Sequence, residues 1–191
     1  MKFFIPFQRS KASALPRSVV FRPFSRGFRG GFATVHPRYK ETTMENINPK
    51  TLKLKEFLEE NKIECFQIEE RNDENETAVF RSLMQAKGQT LPFAVLLDKS
   101  VYALLQVQLA PAIIKGDVLS KVAAYLNEMN NNYRVFKFVV TNEGDLLLNA
   151  CVVSKDDNFD PALVNAIIAE TVKFLEGEYA SIMAKIWKEI E

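Results

Sequence analysis

Histidine is almost absent from this sequence. The single histidine is His36, and none follows it in the chain. The later part of the chain therefore has no Ser-His-Asp triad, no Cys-His pair and no histidine-ligated metal. Glycine is also sparse there, and no Gly-rich phosphate loop follows a strand. The sequence thus predicts no catalytic residue, no metal ligand and no cofactor.

Cysteine is scarce as well. Cys65 and Cys151 each lie in an apolar, strand-like run, which is typical of reduced and buried thiols. A disulfide between them is the alternative, but it fits a secreted framework poorly, because there is one pair and no evident secretory signal. No apolar run reaches the about 18 residues that a membrane-crossing helix needs. We therefore expect a cytoplasmic protein without membrane contact.

Acidic residues are missing from the first forty positions, which carry nine Lys or Arg, four of the eight prolines and seven of the fifteen phenylalanines. So many prolines prevent a long helix or a central strand. Residues 44–191 carry 16 basic and 23 acidic residues, so their net charge is 16 minus 23, or −7. This split predicts a disordered basic tail over residues 1–43 and one folded domain over residues 44–191.

Three interpretations of the tail remain open. In the first, it is not native coding sequence and translation starts at Met44, because a bacterial ribosome-binding sequence can encode Lys40-Glu41. In the second, it is an organellar transit segment, since it is rich in Arg and Ser and poor in acids. In the third, Arg26–Phe32 interleaves Arg and Phe as nucleic-acid-binding tracts do. One short copy is a weak signal, so we expect no nucleic-acid partner.

The domain shows grouped strand patterns between helical ones. Asn48 before Pro49 and Asp160 before Pro161 each predict a helix start. The predicted helices are 48–61, Lys115–Met129 and about 30 residues from Asp160, and the predicted strands are Cys65–Glu70, Thr77–Met84, Leu91–Leu97, Val101–Leu109, Arg134–Thr141 and Asp145–Val153. The order α–β(3 or 4)–α–β–β–α predicts an α+β fold, in which an antiparallel sheet has helices packed on one side.

Two features of the domain resemble chemical sites. Asp156, Asp157 and Asp160 share one loop, but their spacing does not fit a calcium loop and Asp160 already serves as a helix cap. A solvated turn is the simpler interpretation. Lys137 lies between two phenylalanines in a strand, so the period of 2 directs it away from them. This favours a surface lysine over a general base.

The apolar stripes of two helices predict an interface. A helix of ~30 residues spans about 45 Å, whereas strands of 5–8 residues span about 17–27 Å. The last helix should therefore extend past the sheet, unless it bends at Gly177. We expect a homodimer that uses the helix Lys115–Met129 or the end of the last helix. The candidate interface residues are Val118, Val122, Tyr125, Met129, Ile182, Ile186, Trp187 and Ile190.

The run Tyr125–Ser154 combines Leu126-Asn127, a series of asparagines, an aromatic strand, an acidic-glycine turn and an apolar return strand. This combination, together with the element order over about Thr51–Trp187, resembles the YbjN family of bacterial proteins. The resemblance implies a fold like that of type III secretion chaperones, a regulator or adaptor role and no agreed catalytic residues.

These features together predict a non-enzymatic module that binds an unidentified protein partner and has a chaperone-like or regulatory role. The alternative is a small-ligand sensor that uses a pocket between the sheet and the helices.

Overall fold

Residues 47–190 are the part of the chain that the computed structural model describes. The helices are α1 (Pro49–Glu60), α2 (Val118–Asn132) and α3 (Pro161–Ile190). The strands are β1 (Gln67–Glu70), β2 (Ala78–Ala86), β3 (Gln89–Leu97), β4 (Tyr102–Ala110), β5 (Phe136–Val140) and β6 (Leu146–Val153). The predictions for the tail, residues 1–43, lie outside the described residues.

The six strands form one sheet in the order β1-β2-β3-β4-β6-β5. Every neighbouring pair is antiparallel. The β5–β6 hairpin joins the sheet through β6, which pairs with β4. The predicted α+β class with an antiparallel sheet is confirmed.

Two helices begin with the same device. The Asn48 side chain accepts a hydrogen bond from the Lys50 N–H at 2.8 Å, and Pro49 is the first helical residue. The Asp160 carboxylate accepts one from the Ala162 N–H at 2.9 Å. Both predicted N-caps are confirmed, because each side chain satisfies a backbone N–H that has no partner within its helix.

The three helices share one face of the sheet, which we call the inner face. From the strands it receives alternate residues such as Phe80, Val95, Leu105 and Leu148, and they form one buried cluster with apolar residues of all three helices. The helical members are Leu54, Leu58, Val122, Leu126, Met129, Val164, Leu175, Ile182, Met183 and Ile186. The prediction of helices on one side of the sheet is confirmed.

The outer edge of β5 is bonded to α2. Asn130 Nδ2 donates to the Phe138 carbonyl at 3.1 Å, and the Phe138 N–H donates to Asn130 Oδ1 at 2.6 Å. One side-chain amide thus pairs both backbone groups of Phe138, as a neighbouring strand would. The ring of Phe174 on α3 packs on Tyr133 and Phe136, with ring centroids 4.7 and 4.6 Å apart.

Candidate functional site

Half of the residues predicted to form a helical interface are buried in the hydrophobic core. Val122, Met129, Ile182 and Ile186 are buried in the inner-face cluster, so they are not available to a partner. Val118, Tyr125 and Ile190 are half-buried against the same cluster. Trp187 alone remains exposed, at 46%. The selection of the four buried residues as interface residues is therefore corrected, whereas a homodimer stays a prediction.

The predicted interface residues of α3 are buried because this helix packs over the sheet along most of its length. Its residues Leu175, Ile182 and Ile186 have no exposed surface. The inner face and the neighbouring helices therefore cover the apolar stripe to the last turns of α3, and the inference that this stripe exceeds the sheet was wrong. Helix length compared with strand length misleads when the helix also packs against α1 and α2.

The opposite face of the sheet, the outer face, has a different composition. Its apolar residues Val79, Ala94 and Leu147 are buried, at 0%, 0% and 4% exposed, although they do not belong to the cluster that contains the helices. Within residues 47–190, the apolar side chains of all three helices join the inner-face cluster instead. The described helices therefore do not pack on the outer face, whose centre is nevertheless buried and whose exposed apolar residues lie at its margins.

Strand register organises the outer face into rows. A central row crosses five strands and consists of Arg81, Ala94, Gln106, Asn149 and Lys137. On one side of it lies a row of Val79, Leu96, Leu104 and Cys151. On the other side, Leu83 pairs with Pro92 and Leu147 pairs with Val139. The outer face thus has a polar centre line between two apolar margins.

Gln106 lies near the middle of this centre line, on β4. Its Nε2 donates to Asn149 Oδ1 at 3.2 Å. Its Oε1 is buried and has no hydrogen-bond partner within the described residues, although the whole residue is only 9% exposed. A buried acceptor that is left without a donor costs free energy of folding.

Large apolar side chains project from the margins of the outer face. Leu83 is 63% exposed, and Tyr102, Val139 and Val153 are also exposed. Proteins that remain monomeric seldom present many such residues on one surface. The alternation at 101–109 already contained this signal, because Tyr102, Leu104, Gln106 and Gln108 share one side.

An ion-pair cluster lies at the β1 end of the outer face. Arg71 Nε donates to Glu69 Oε1 at 3.0 Å, and Arg81 Nη2 donates to Oε2 at 3.1 Å. Burial by itself raises the pKa of Glu69, but the hydrogen bonds and charges of the two arginines outweigh it and hold this pKa below its usual value. The one acidic residue among the outer-face strand positions is thereby neutralised.

Lys50 is a buried lysine that the sequence did not reveal. Its Nζ donates to the Ser100 and Tyr102 carbonyls at 2.6 and 3.0 Å. Burial lowers its pKa, and the nearby charges of Asp98 and Asp156 oppose that effect. Because its acceptors lie about fifty positions away in the chain, local periodicity contains no sign of this contact. Lys50 anchors α1 to the β3–β4 turn.

The other chemical candidates are also bound to backbone. Lys137 is exposed, as predicted, and its Nζ donates to the Asn130 and Tyr133 carbonyls at 2.6 and 2.9 Å, at the end of α2. The carbonyls of Asp156 and Asp157 accept from Lys53 at 2.6 and 3.0 Å. These contacts give both groups a structural role.

The prediction of two buried cysteines was wrong. Cys65 and Cys151 are both free and exposed. Cys65 precedes β1, where the sheet edge leaves it open, and Cys151 belongs to the outer face rather than to the core. Burial raises the pKa of the Cys151 thiol, and Lys50 partly counteracts this.

Two searches of residues 47–190 gave negative results. Among these residues no group of three or more His, Cys, Asp or Glu side chains is placed to hold a metal ion. No helix in the described range combines the length and apolar character needed to cross a bilayer.

Comparison with known protein families gives a match. The model of the YbjN family, described as "putative bacterial sensory transduction regulator", matches residues 53–172. A comparison with curated proteins gives no significant match. The matched range contains most of α1, the complete sheet, α2 and the first part of α3. Since it spans more than half of the chain, this protein belongs to the YbjN family.

Proposed function

We propose that this protein is a non-enzymatic regulatory module that acts by binding another protein on its outer face. The observation that carries the proposal is the outer face itself, where exposed apolar residues flank a polar centre line and no described helix covers them. Apolar patches with polar groups among them are typical of protein-binding surfaces. The description of the family as a regulator supports the regulatory part.

The proposal includes a cytoplasmic location and a chaperone-like or adaptor role. Two free and exposed thiols, Cys65 and Cys151, support a reducing location, since disulfides form and persist in oxidising compartments. The exposed apolar side chains at the margins of the outer face support an adaptor role, because they can contact a partner without rearrangement of the helical layer.

The bonding of the two lysines supports the non-enzymatic part. A lysine that acts as general base needs a neutral amine directed at a substrate. The amines of Lys50 and Lys137 are instead each held by two backbone carbonyls. The arrangement thus assigns these groups to the fold.

The test is site-specific photo-crosslinking in bacterial cells that express the full chain. A photoreactive amino acid replaces Tyr102 on the outer face or, as the matched control, Leu119 on the helical side, since the two are similarly exposed at 51% and 47%. We expect covalent protein adducts from position 102 and none from position 119. Adducts only from position 119, or from neither position, would contradict the proposal.

A further inference from the structure

We propose that two copies of this chain pair through the outward edge of β1, so that their sheets join into one continuous sheet across a twofold axis. This inference goes beyond the proposed function, since it concerns the rim of the sheet and leaves the outer face to a different protein. It assigns the expected homodimer to a strand edge rather than to the helices.

The backbone of β1 has hydrogen-bonding groups that point away from the sheet. Within residues 47–190, β1 is the first strand of the sheet and pairs only with β2. The Arg71 N–H donates to the Thr77 carbonyl at 2.8 Å, and alternate residues before Arg71 therefore bond to β2. The N–H and C=O groups of Ile68 and Glu70 consequently point outward, where another strand can bond to them.

This edge is accessible in the single chain. Gln67, Glu69 and Glu70 are all exposed. The other edge of the sheet differs, because Asn130 binds both backbone groups of Phe138 on β5. One edge is thus completed by a side chain of the same domain, whereas the β1 edge can accept a strand from another molecule.

The sequence of β1 is self-complementary in one antiparallel register. With the twofold axis at Ile68, Ile68 meets its own counterpart and Gln67 lies opposite Glu69 of the other copy. Phe66, which continues the alternation before the strand, then lies opposite Glu70. The outward groups of the two strands face each other in this register, and they can form about six hydrogen bonds.

Neighbouring registers are less favourable. An axis at Glu69 or at Glu70 would place that carboxylate opposite its own counterpart. An axis at Gln67 would set Glu70 against Glu64. Like charges directly opposite each other destabilise a strand pair. The register centred on Ile68 avoids all of these contacts, so the order of residues selects both a second copy and its alignment.

Both acids of β1 are paired within one copy. Glu69 is bonded to Arg71 and Arg81. Glu70 forms an ion pair with Lys55 of α1. The strand therefore brings no unpaired carboxylate to the contact, although residues 44–191 have a net charge of −7.

Apolar side chains along the same edge add to the contact. Ile63, Phe66 and Ile68 are half-buried against the inner-face cluster and keep part of their surface in water. Pairing would bury more of Ile68 against its counterpart, which favours association. The contact is smaller than an ordinary interface of about 800 Å² per partner, so we expect a Kd of about 1–100 µM.

The first test is sedimentation equilibrium of the full chain at tens to hundreds of micromolar. Ile68→Pro removes the outward N–H without touching a bond to β2, and proline is tolerated on the solvent side of an edge strand. The matched control, Ile68→Ala, shortens the same side chain but keeps the N–H. Circular dichroism verifies that both variants are folded.

We expect the unmodified chain to reach twice the 21.8 kDa mass of one chain. The Kd of Ile68→Pro should be at least about 30-fold higher, because both copies lose an N–H at the axis and the ring obstructs the opposite strand. The Kd of Ile68→Ala should rise less than about tenfold, since every backbone bond is kept.

Disulfide trapping tests the register and also decides the question if Ile68→Pro unfolds. In a full chain with Cys65→Ser and Cys151→Ser, Ile68→Cys should give a covalent dimer on mild oxidation. The two Cα atoms at position 68 would be about 5.5 Å apart, which suits a disulfide. Gln67→Cys and Glu69→Cys are the controls, because their own counterparts would be about 8 Å away and too distant to bridge.

Three results would overturn the inference. They are an unmodified chain that stays monomeric throughout the concentration range, a folded Ile68→Pro variant that dimerises like the unmodified chain, and trapping at position 67 or 69 as efficient as at position 68. A β1 edge that binds only a strand of a different protein would give the first of these results.

Discussion

The inner and outer faces of the sheet use the same strands but are completed in different ways. On β2, Phe80 points inward and has no exposed surface, whereas Leu83 points outward and is 63% exposed. The inner face meets three helices from the same chain, and the outer face meets none of them. The comparison indicates that the inner face joins the sheet to the helices, whereas the outer face carries exposed apolar side chains at its margins.

The largest expected difference between the two faces is in the stability lost when residues of the same strand, β2, are replaced. Phe80→Ala removes a fully buried ring from the inner face, and we expect the free energy of unfolding to fall by about 3–5 kcal/mol. Leu83→Ala, three residues along, should change it by no more than about 0.5 kcal/mol under conditions where the chain is monomeric. Urea unfolding of both variants measures the difference. Similar losses for the two would show that the faces are not distinct.

The attachment of the helical layer to the sheet edge gives the next effect. Asn130→Ala leaves the Phe138 N–H and C=O without their side-chain partner, so we expect a loss of about 1–3 kcal/mol. Asn131→Ala is the control, because Asn131 is an exposed neighbour in the same helix turn. Hydrogen exchange at the Phe138 amide should rise in the first variant only. An unchanged exchange rate would mean that this bond does not protect the edge.

Gly177 allows a smaller test in the opposite direction. It is exposed inside α3, and a Cβ placed there meets no atom within 4 Å. Gly177→Ala should therefore stabilise the domain by about 0.5–1 kcal/mol, since alanine loses less backbone entropy in a helix. Thermal unfolding measures this gain. A loss of stability would indicate that α3 needs a bend at this position.

The smallest expected effect concerns pH. The folded-state pKa of Glu69 lies below its ordinary value of 4.5, so the ion pair contributes stability above that value. This contribution is lost as pH falls through the lowered, folded-state pKa. Glu69→Gln should therefore flatten the acid side of the stability profile slightly, while the control Glu59→Gln on α1 should not. A profile unchanged by Glu69→Gln would show that the cluster with Arg71 and Arg81 adds nothing.

Local sequence patterns were sufficient to predict the helices and strands that form the inner face. The caps at Asn48 and Asp160 located two helices, and the alternation at 101–109 located β4 and its two sides. Leu119 is apolar but exposed, one residue into the helix α2 that begins at Val118. Its surroundings depend on how α2 meets the sheet, which no periodicity contains.

The candidate site was harder to predict for the same physical reason. An exposed Leu83 and a buried Ile186 look alike in sequence, and only the positions of the three helices decide which of them is covered. The bond of Lys50 to the Ser100 and Tyr102 carbonyls likewise joins segments that are distant in sequence. Sequence patterns therefore identified apolar stripes and alternations but not which of their side chains remain exposed.

The amide of Asn130 has a consequence for assembly. A sheet edge with unpaired backbone groups is a template for further strands and hence for fibrils. At β5 that template is blocked, because Asn130 already occupies the N–H and C=O of Phe138. A strand from another molecule could therefore not pair with β5 at this residue, and the sheet would not be extended there into a polymer.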